Sequence, residues 1–500
     1  MPTERGVSSD EKPKGLRCSV HSRFTLCEKC FLRRRFLIYE EAIEYIGNIG
    51  RAGSDYGIER MRILLNLLGS PDAKLKFVHV AGTNGKGSVC AFLTAVLKEA
   101  GYRVGTYNSP SVFTYNERWR INGEPLGDEL VAEYLTAVKN CIDDENARRK
   151  QRLGSGQNSL NCYDNLKFSA LDAEKSEMLT VGEFNPTAFE IETAAAMLAF
   201  CGAGCDIAVL ETGLGGRWDA TNAVLEKELA VITPIGLDHC ALLGDTLGEI
   251  ASEKAAIIKR DVVTCAQCDE IMEQIRNPFD TVDGERVYRQ ANVNICGNAV
   301  LIKRDTEAQT FEYGGREYKI RLQGKHQLQN AAIAICAVEE LRKKGWEISE
   351  SDLARGLEKA EWSARLEFVK DADSRFAIEV PEGKTLVFDG AHNPHGARAL
   401  AEAIGEYFGG LKIHLVMGML ADKDVDGVVS LLAPLCKSAT AVTPDSPRAL
   451  DKSLLAEKIG GYAPCGQGGS VGSAVQSALY GDCDVVVLCG SLTLFGDLKQ

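Results

Sequence analysis

Two spacings of apolar residues alternate along most of the chain. Short apolar runs read as buried strands, and stretches with apolar residues three and four apart read as helices. The first helix expected is FLIYEEAIEYI, from Phe36. KFVHVA (76–81) then reads as a strand. A glycine-rich turn follows, and then a helix with Val89, Phe92, Leu93, Val96 and Leu97 on one face, stopped at Gly101. Strand, glycine loop and helix make the first half of a βαβ unit. Residues 140–186 break the rhythm. They are polar, contain RRKQR and GSGQNS, and read as a long surface insertion with at most weak structure. Order resumes with a helix over 187–201, strands over 207–211 and 230–235, a helix over 246–259, short strands through 286–322 and a helix over 327–343. After residue 364 a second alternation has strands at 386–388, 413–417, 439–443 and 485–488 with helices between, a doubly wound pattern. The expectation is an α/β protein: a polar appendage (1–35), a larger unit on a parallel sheet (36–362) and a smaller doubly wound, Rossmann-like unit (363–500).

Five hundred residues exceed one small core and suit two or three domains. Lys and Arg number 57 against 70 Asp and Glu, a net charge of −13. That balance lacks the basic excess of a general nucleic-acid or membrane-surface binder, and leaves room only for a local phosphate site. No stretch is long and apolar enough to span a bilayer, and MPTERGVSSDEKPKG at the start lacks the apolar core of a signal peptide. Seventeen cysteines, many inside apolar patterns (Cys90, Cys201, Cys336, Cys489), then read as buried thiols in a reducing cytosol. A cytoplasmic monomer without nucleic-acid or membrane partners is expected.

The strongest local signal is Gly82-Thr83-Asn84-Gly85-Lys86-Gly87-Ser88, between the first strand and its helix. Glycines let backbone N–H groups close round phosphate oxygens, and the helix N-terminus adds positive potential. Lys86 is placed to neutralise the β- and γ-phosphates of ATP. The spacing departs from G-x-x-x-x-G-K-[ST], since the first gap is short and Gly87 precedes Ser88.

HVAGTNGKGSVCAF resembles the phosphate loop of the Mur ligase superfamily, and specifically of the folylpolyglutamate synthase/dihydrofolate synthase family. Further segments match that family in the same order: SPSVFTYNERWRING (109–123), TAFE (187–190), ETGLGGRWDATN (211–222), ITPIGLDHCALLGDTLGEIASEKAAIIK (232–259), GKHQLQNAA (324–332), SARLE (363–367), VFDGAHNPHG (387–396) and GSLTLFGD (490–497). The resemblance covers roughly residues 36–500. It implies an ATP-binding domain with a phosphate loop and parallel sheet, a glutamate-ligase domain, and ATP-driven joining of L-glutamate to folate through an acyl phosphate. The chemistry demands neutralised anions and excluded water, which two domains closing on a phosphate loop would supply.

The resemblance also implies roles for single residues. Ser109, Glu190 and His239 match magnesium ligands, and Lys254 matches a lysine that is carbamylated and holds a second metal. Asn330, Arg365 and Asp389 match nucleotide contacts, with Arg365 also reaching the transferring phosphoryl. His392 matches a residue near the incoming glutamate, and Arg217 and Asp219 lie in a segment near the pterin. Each also has an ordinary structural reading. Glu190 completes a Thr187-x-x-Glu190 capping box, His239 follows Asp238 in a turn, and Asn393-Pro394 makes a turn around His392. Lys254 has Ile250, Ala251, Ile257 and Ile258 as its helical neighbours, so it lies on an apolar face. The chain departs from the family pattern at Ala364, where glycine is usual, at Trp218 for leucine and at Ser111 for histidine.

Outside the matched region, Cys18-x2-His21-x5-Cys27-x2-Cys30 offers four ligands for a structural zinc, or an incidental set of cysteines in a polar tail. Cys265-x2-Cys268 is a pair without a second half. The reading is an ATP- and Mg-dependent glutamate ligase acting on folates. Dihydrofolate synthase, or both activities in one chain, stays open. A Mur-type ligase on a cell-wall substrate and a non-catalytic interaction protein are the rivals.

Overall fold

The structure is a computed structural model and describes residues 36–49, 58–155, 182–224, 226–282, 285–369 and 378–499. Cys18, His21, Cys27 and Cys30 lie outside the described residues.

The strands, in chain order, are β1 (Phe77–Ala81), β2 (Val104–Tyr107), β3 (Trp119–Ile121), β4 (Glu124–Pro125), β5 (Ile207–Glu211), β6 (Leu229–Ile232), β7 (Asp261–Cys265), β8 (Phe279–Val282), β9 (Glu285–Tyr288), β10 (Asn292–Cys296), β11 (Val300–Arg304), β12 (Gln309–Tyr313) and β13 (Arg316–Ile320). They continue with β14 (Glu367–Val369), β15 (Thr385–Phe388), β16 (Ile413–Met417), β17 (Ser438–Ala441), β18 (Cys465–Gln467) and β19 (Val485–Cys489). The larger sheet has the order β10-β7-β6-β1-β5-β2-β3-β4. It is parallel from β10 to β2 and antiparallel at the β3 and β4 edge. The second sheet runs β14-β15-β19-β16-β17-β18, parallel except for β14.

β1, β5 and β6 are buried along their whole length, which is why they read as continuous apolar runs. One face packs Val78 and Val80 of β1 against Val89, Phe92 and Val96 of the helix Lys86–Glu99, Ile333 and Ala337 of the helix Lys325–Lys343, and Leu357 of the helix Glu350–Lys359. The other packs Phe77 and Leu210 against Ile191 and Leu198 of the helix Ala188–Gly202 and Leu135 and Val138 of the helix Asp128–Ser155. Ligands of such sheets collect at the C-terminal ends of the parallel strands, where the chain reverses its direction of winding. Here β1 is that strand, flanked by β5 and β6.

The expected insertion over 140–186 needs correction. Residues 140–155 continue the helix Asp128–Ser155, and residues 156–181 lie outside the described residues. Cys141 and Ile142 pack into the core. The buried Glu145 carboxylate accepts from Arg149 Nε one turn on, at 3.0 Å. A charged pair that satisfies itself inside the fold looks, in the sequence, like solvated surface.

Candidate functional site

Between the two sheets lies a cleft of about 380 Å³, floored by the ends of β1, β2, β5 and β6 and roofed by the turn after β15. All of Gly82–Ser88 line it, as do Ser109, His239, Lys254, Asn330, Arg365, Asp389 and His392.

The loop after β1 is held by its neighbour after β6. Thr83 N and Asn84 N both donate to Pro234 O, at 3.0 and 3.3 Å, and Thr83 Oγ1 donates to Gly236 O at 3.0 Å. Gly82 sits so close to Thr233 that a Cβ would lie 1.9 Å from its hydroxyl oxygen. The helix that follows has Gly85 as N-cap in the left-handed region (φ +87°), and its first internal bond is Val89 N to Gly85 O. Its first turn therefore offers N–H groups to the cleft.

Two ammonium groups converge on this loop. Lys86 Nζ donates to Gly82 O and Thr83 O, both at 3.2 Å, and Lys254 Nζ donates to Gly82 O at 2.9 Å. Lys254 is 5% exposed. Burial and, next, the Lys86 charge pull its pKa down to about 7.

The carboxylate beside them is Glu211, the last residue of β5, which the sequence reading missed. Its Oε1 lies 4.0 Å from Lys86 Nζ, and its Oε2 accepts from Asn108 Nδ2 at 3.0 Å. Burial pushes its pKa up, and Lys86 opposes that. Asn108 Oδ1 is buried and has no hydrogen-bond partner among the described residues. Glu190, expected here, does not line the cleft. Its Oε2 accepts from Thr187 N at 2.7 Å and from Arg60 Nε at 2.8 Å, so it caps its helix and closes a half-buried ion pair. The signal for Glu211 was an acid ending an otherwise apolar strand directly before a glycine turn.

Arg217 and Asp219 also lie outside the cleft lining. Arg217 is bonded to Glu253 at 2.8 Å and to Phe279 O and Ser252. Asp219 Oδ2 accepts from Gly213 N and Leu214 N, both at 2.9 Å, and its Oδ1 from Thr221 N at 3.0 Å. Both shape the turn that follows Glu211.

The second domain supplies the opposite wall. Arg365 stands between Ala364 (φ +55°) and Leu366 (φ +47°), two residues in the left-handed region. The twist is secured by Gly390 N to Ala364 O at 2.9 Å and Leu366 N to Asp389 Oδ2 at 2.8 Å. Ala364 occupies a backbone conformation that glycine adopts without strain, which gives the family's usual glycine there a physical reason. Asp389 also accepts from Ala391 N at 2.9 Å, and burial raises its pKa. His392 Nδ1 donates to Gly390 O at 2.7 Å, since a carbonyl only accepts. Burial, then Lys423, pulls the His392 pKa down to about 4, so the ring is neutral at pH 7 with a lone pair on Nε2.

Asp238 joins the two domains. It accepts from Lys423 Nζ at 2.9 Å and from Asn393 Nδ2 at 3.0 Å, and the charge and hydrogen bond of Lys423, with His239 beside it, hold it well below the usual carboxylate range despite burial. Lys423 Nζ also lies 3.2 Å from His239 Nε2. Asn84 Nδ2 is 2.8 Å from His395 Nδ1 across the same seam.

The donors Ser109, Glu211 and His239 fit a hard divalent cation in part: two oxygens and one imidazole. Among the described residues no three His, Cys, Asp or Glu side chains converge as a preformed metal centre. The set therefore suits a cation that completes its shell with phosphate oxygens and water.

Residues 168–338 match the Mur ligase middle domain, and residues 365–492 match the glutamate ligase domain of Mur ligases. A dihydrofolate synthase/folylpolyglutamate synthase of Bacillus subtilis is 34% identical over 478 residues, covering 93% of this chain and 99% of the relative. The folylpolyglutamate synthase of Mycobacterium tuberculosis complexed with ADP superposes with a TM-score of 0.72 at 27% identity, over 92% of this chain and 96% of that one. A bifunctional folylpolyglutamate synthase/dihydrofolate synthase with Mn, AMPPNP and L-glutamate bound gives 0.69 at 25% identity, over 92% and 96%. With the phosphate loop and its facing domain in place, this chain belongs to the folylpolyglutamate synthase/dihydrofolate synthase family of Mur ligases.

Proposed function

We propose that the chain joins L-glutamate to tetrahydrofolate or a folylpolyglutamate, using ATP and magnesium and passing through an acyl phosphate. The observation that carries this reading is the cleft itself: a phosphate loop with two lysines faces Arg365, Asp389 and His392 of a second domain. The support from relatives is their naming and the ADP, AMPPNP, Mn and L-glutamate in their structures.

In this reading the amides of the loop and Lys86 cradle the β- and γ-phosphates, and Asn330, Arg365 and Asp389 hold the rest of the nucleotide. Arg365 meets the transferring phosphoryl from the opposite side, where a guanidinium adds positive charge without needing to move. Ser109, Glu211, His239 and carbamylated Lys254 would hold magnesium, which when bound neutralises phosphate charge as the folate carboxylate is activated. Neutral His392 accepts a hydrogen bond from the glutamate amine through Nε2 and orients it toward the acyl carbon. Arg217 and Asp219 act on the folate side by fixing the turn after Glu211. The seam of Asn84, Asp238, Asn393 and Lys423 shuts the cleft against water, which would hydrolyse an acyl phosphate.

Two carboxylates separate the reading from its alternative. Glu211→Gln is expected to raise the magnesium concentration for half-maximal activity by at least about tenfold. Glu190→Ala is expected to leave that concentration unchanged but to destabilise the fold by about 2 kcal/mol in urea titration, because it removes the capping box and leaves the half-buried Arg60 without its carboxylate. The reverse pattern would return the metal to Glu190.

Dihydrofolate synthase activity, on dihydropteroate, is the second reading, carried by the double naming of the Bacillus subtilis relative. Cytoplasmic, monomeric action is proposed with it. Its support is that the cleft is complete within one chain and that the described cysteines are free thiols. No helix among the described residues is long and apolar enough to cross a membrane. Light scattering tests the monomer. Zinc at Cys18, His21, Cys27 and Cys30 is proposed too. The purified full-length chain should then carry about one zinc, and metal-free protein prepared without chelator contradicts it.

A further inference from the structure

We propose that Cys265 and Cys296 form an oxidant-driven disulfide that weakens nucleotide binding in the adjacent cleft. Cys265 ends β7 and Cys296 ends β10, and the two are register partners in parallel strands. Register partners point to the same face, and both belong to the same apolar cluster. Neighbouring strands lie about 4.8 Å apart, inside the Cα window of about 4.4–6.8 Å that disulfides span. β10 is the edge strand, and both residues are the last of their strands, so the small approach the sulfurs need falls where the sheet yields most.

A way in exists. A cavity of about 370 Å³ is lined by Pro234, Ile235, Cys265, Gln267, Cys268 and Gln329. Of the pair, Cys265 therefore meets a small peroxide before Cys296, which does not line the cavity, although Cys265 is only 5% exposed and the exposed Cys268 shares the opening. Its sulfur attacks one peroxide oxygen, the O–O bond breaks, and a sulfenic acid and water form. Cys296 then attacks the sulfenic sulfur and a second water leaves. The two thiols lose two electrons and two protons, and the peroxide is reduced to water. Burial pushes both thiols up, Cys296 to about 12, so the pair stays reduced until oxidant is abundant.

Cys296 touches a residue that shapes the nucleotide site, and Cys265 stands two residues before another. Gln329 Nε2 donates to Cys296 Sγ at 3.1 Å, and Gln329 also lines the cleft beside Asn330. Just past Cys265, Gln267 Oε1 accepts from Ile235 N at 2.7 Å. Ile235 follows Pro234, whose carbonyl anchors Thr83 N and Asn84 N of the phosphate loop. Closing the disulfide takes the sulfur from Gln329 and pulls on the end of β7, so both connections shift.

The consequence rests on the proposed nucleotide cleft, and the test separates the two ideas. Full-length protein is treated with hydrogen peroxide, quenched, mapped as non-reduced peptides and titrated with a fluorescent ATP analogue. The expected result is a Cys265–Cys296 linked peptide, a loss of nucleotide affinity of about fivefold or more, and reversal of both by dithiothreitol. Cys296→Ser and, separately, Cys265→Ala should bind the nucleotide normally when reduced and lose the oxidant response. A Cys296–Cys336 link, no link, or a link with unchanged affinity overturns the proposal. Reduced wild-type protein that binds no nucleotide would instead overturn the reading of the cleft.

Discussion

Lys86→Ala is expected to lower kcat by about 10²–10³-fold while weakening ATP binding by no more than about tenfold. The asymmetry follows from where the ammonium sits. Lys86 Nζ rests on the carbonyls of Gly82 and Thr83, 4.0 Å from Glu211, and so already lies inside the phosphate loop. The loop amides and the helix N-terminus remain in the variant, and they supply most of the ground-state grip on phosphate. What the variant lacks is a full positive charge where charge moves off the γ-phosphoryl. Single-turnover rates set against binding of a fluorescent ATP analogue separate the two effects. A variant with near-native turnover would show that the loop is not the ATP site.

Lys254→Ala is expected to lose at least about 10²-fold in activity, and small carboxylic acids should restore part of it by occupying the vacated space. Lys254 Nζ and Lys86 Nζ both bond Gly82 O, so they lie within about 6 Å of each other in a buried setting. Two unit charges about 6 Å apart repel by about 3 kcal/mol at an effective dielectric of about 20, so a cation at this position is disfavoured further when a divalent metal arrives. With the pKa drawn down to about 7, the amine is mostly protonated below pH 7 and mostly neutral above it. Only the neutral amine adds CO₂. The carbamate so formed reverses the sign of the charge and offers Lys86 and the metal a carboxylate. Wild-type activity should therefore rise as the pH is raised through about 7 and should respond to bicarbonate, while Lys254→Ala should ignore bicarbonate. An active Lys254→Ala enzyme without added acid would contradict the carbamate.

The strand, glycine loop and helix at 76–101 were legible because local chemistry agrees there: a buried strand that is apolar but for His79, glycines where the backbone turns, and an apolar stripe at helical spacing. The doubly wound second unit was legible for the same reason. Choosing between Glu190 and Glu211 was not. Both are acids beside an apolar run; the strand ending at Glu211 was expected, but only the sheet places it next to β1, whereas Glu190 turns back on Thr187 and Arg60. Its capping-box spacing was visible, and that ordinary reading is what the geometry shows. Residues 140–155 were misread because the buried Glu145 and Arg149 satisfy each other, so the polarity of the segment did not mean exposure. Asp238 and Lys423, 185 residues apart, meet only because the second domain folds over the first. No spacing rule reaches that far. At Ala364 the departure from glycine was visible in the sequence, but its meaning, a backbone position at positive φ, is given by the structure alone.

The most direct test is a ligation assay with purified full-length chain, ATP, magnesium and L-glutamate, offered tetrahydrofolate in one reaction and dihydropteroate in another, with products identified by mass spectrometry. The account predicts that tetrahydrofolate gains glutamyl residues and that one ADP appears for each amide bond formed. Conversion of dihydropteroate as well would make the enzyme bifunctional. ATP turnover without any glutamylated folate, or no turnover with either acceptor, would contradict it.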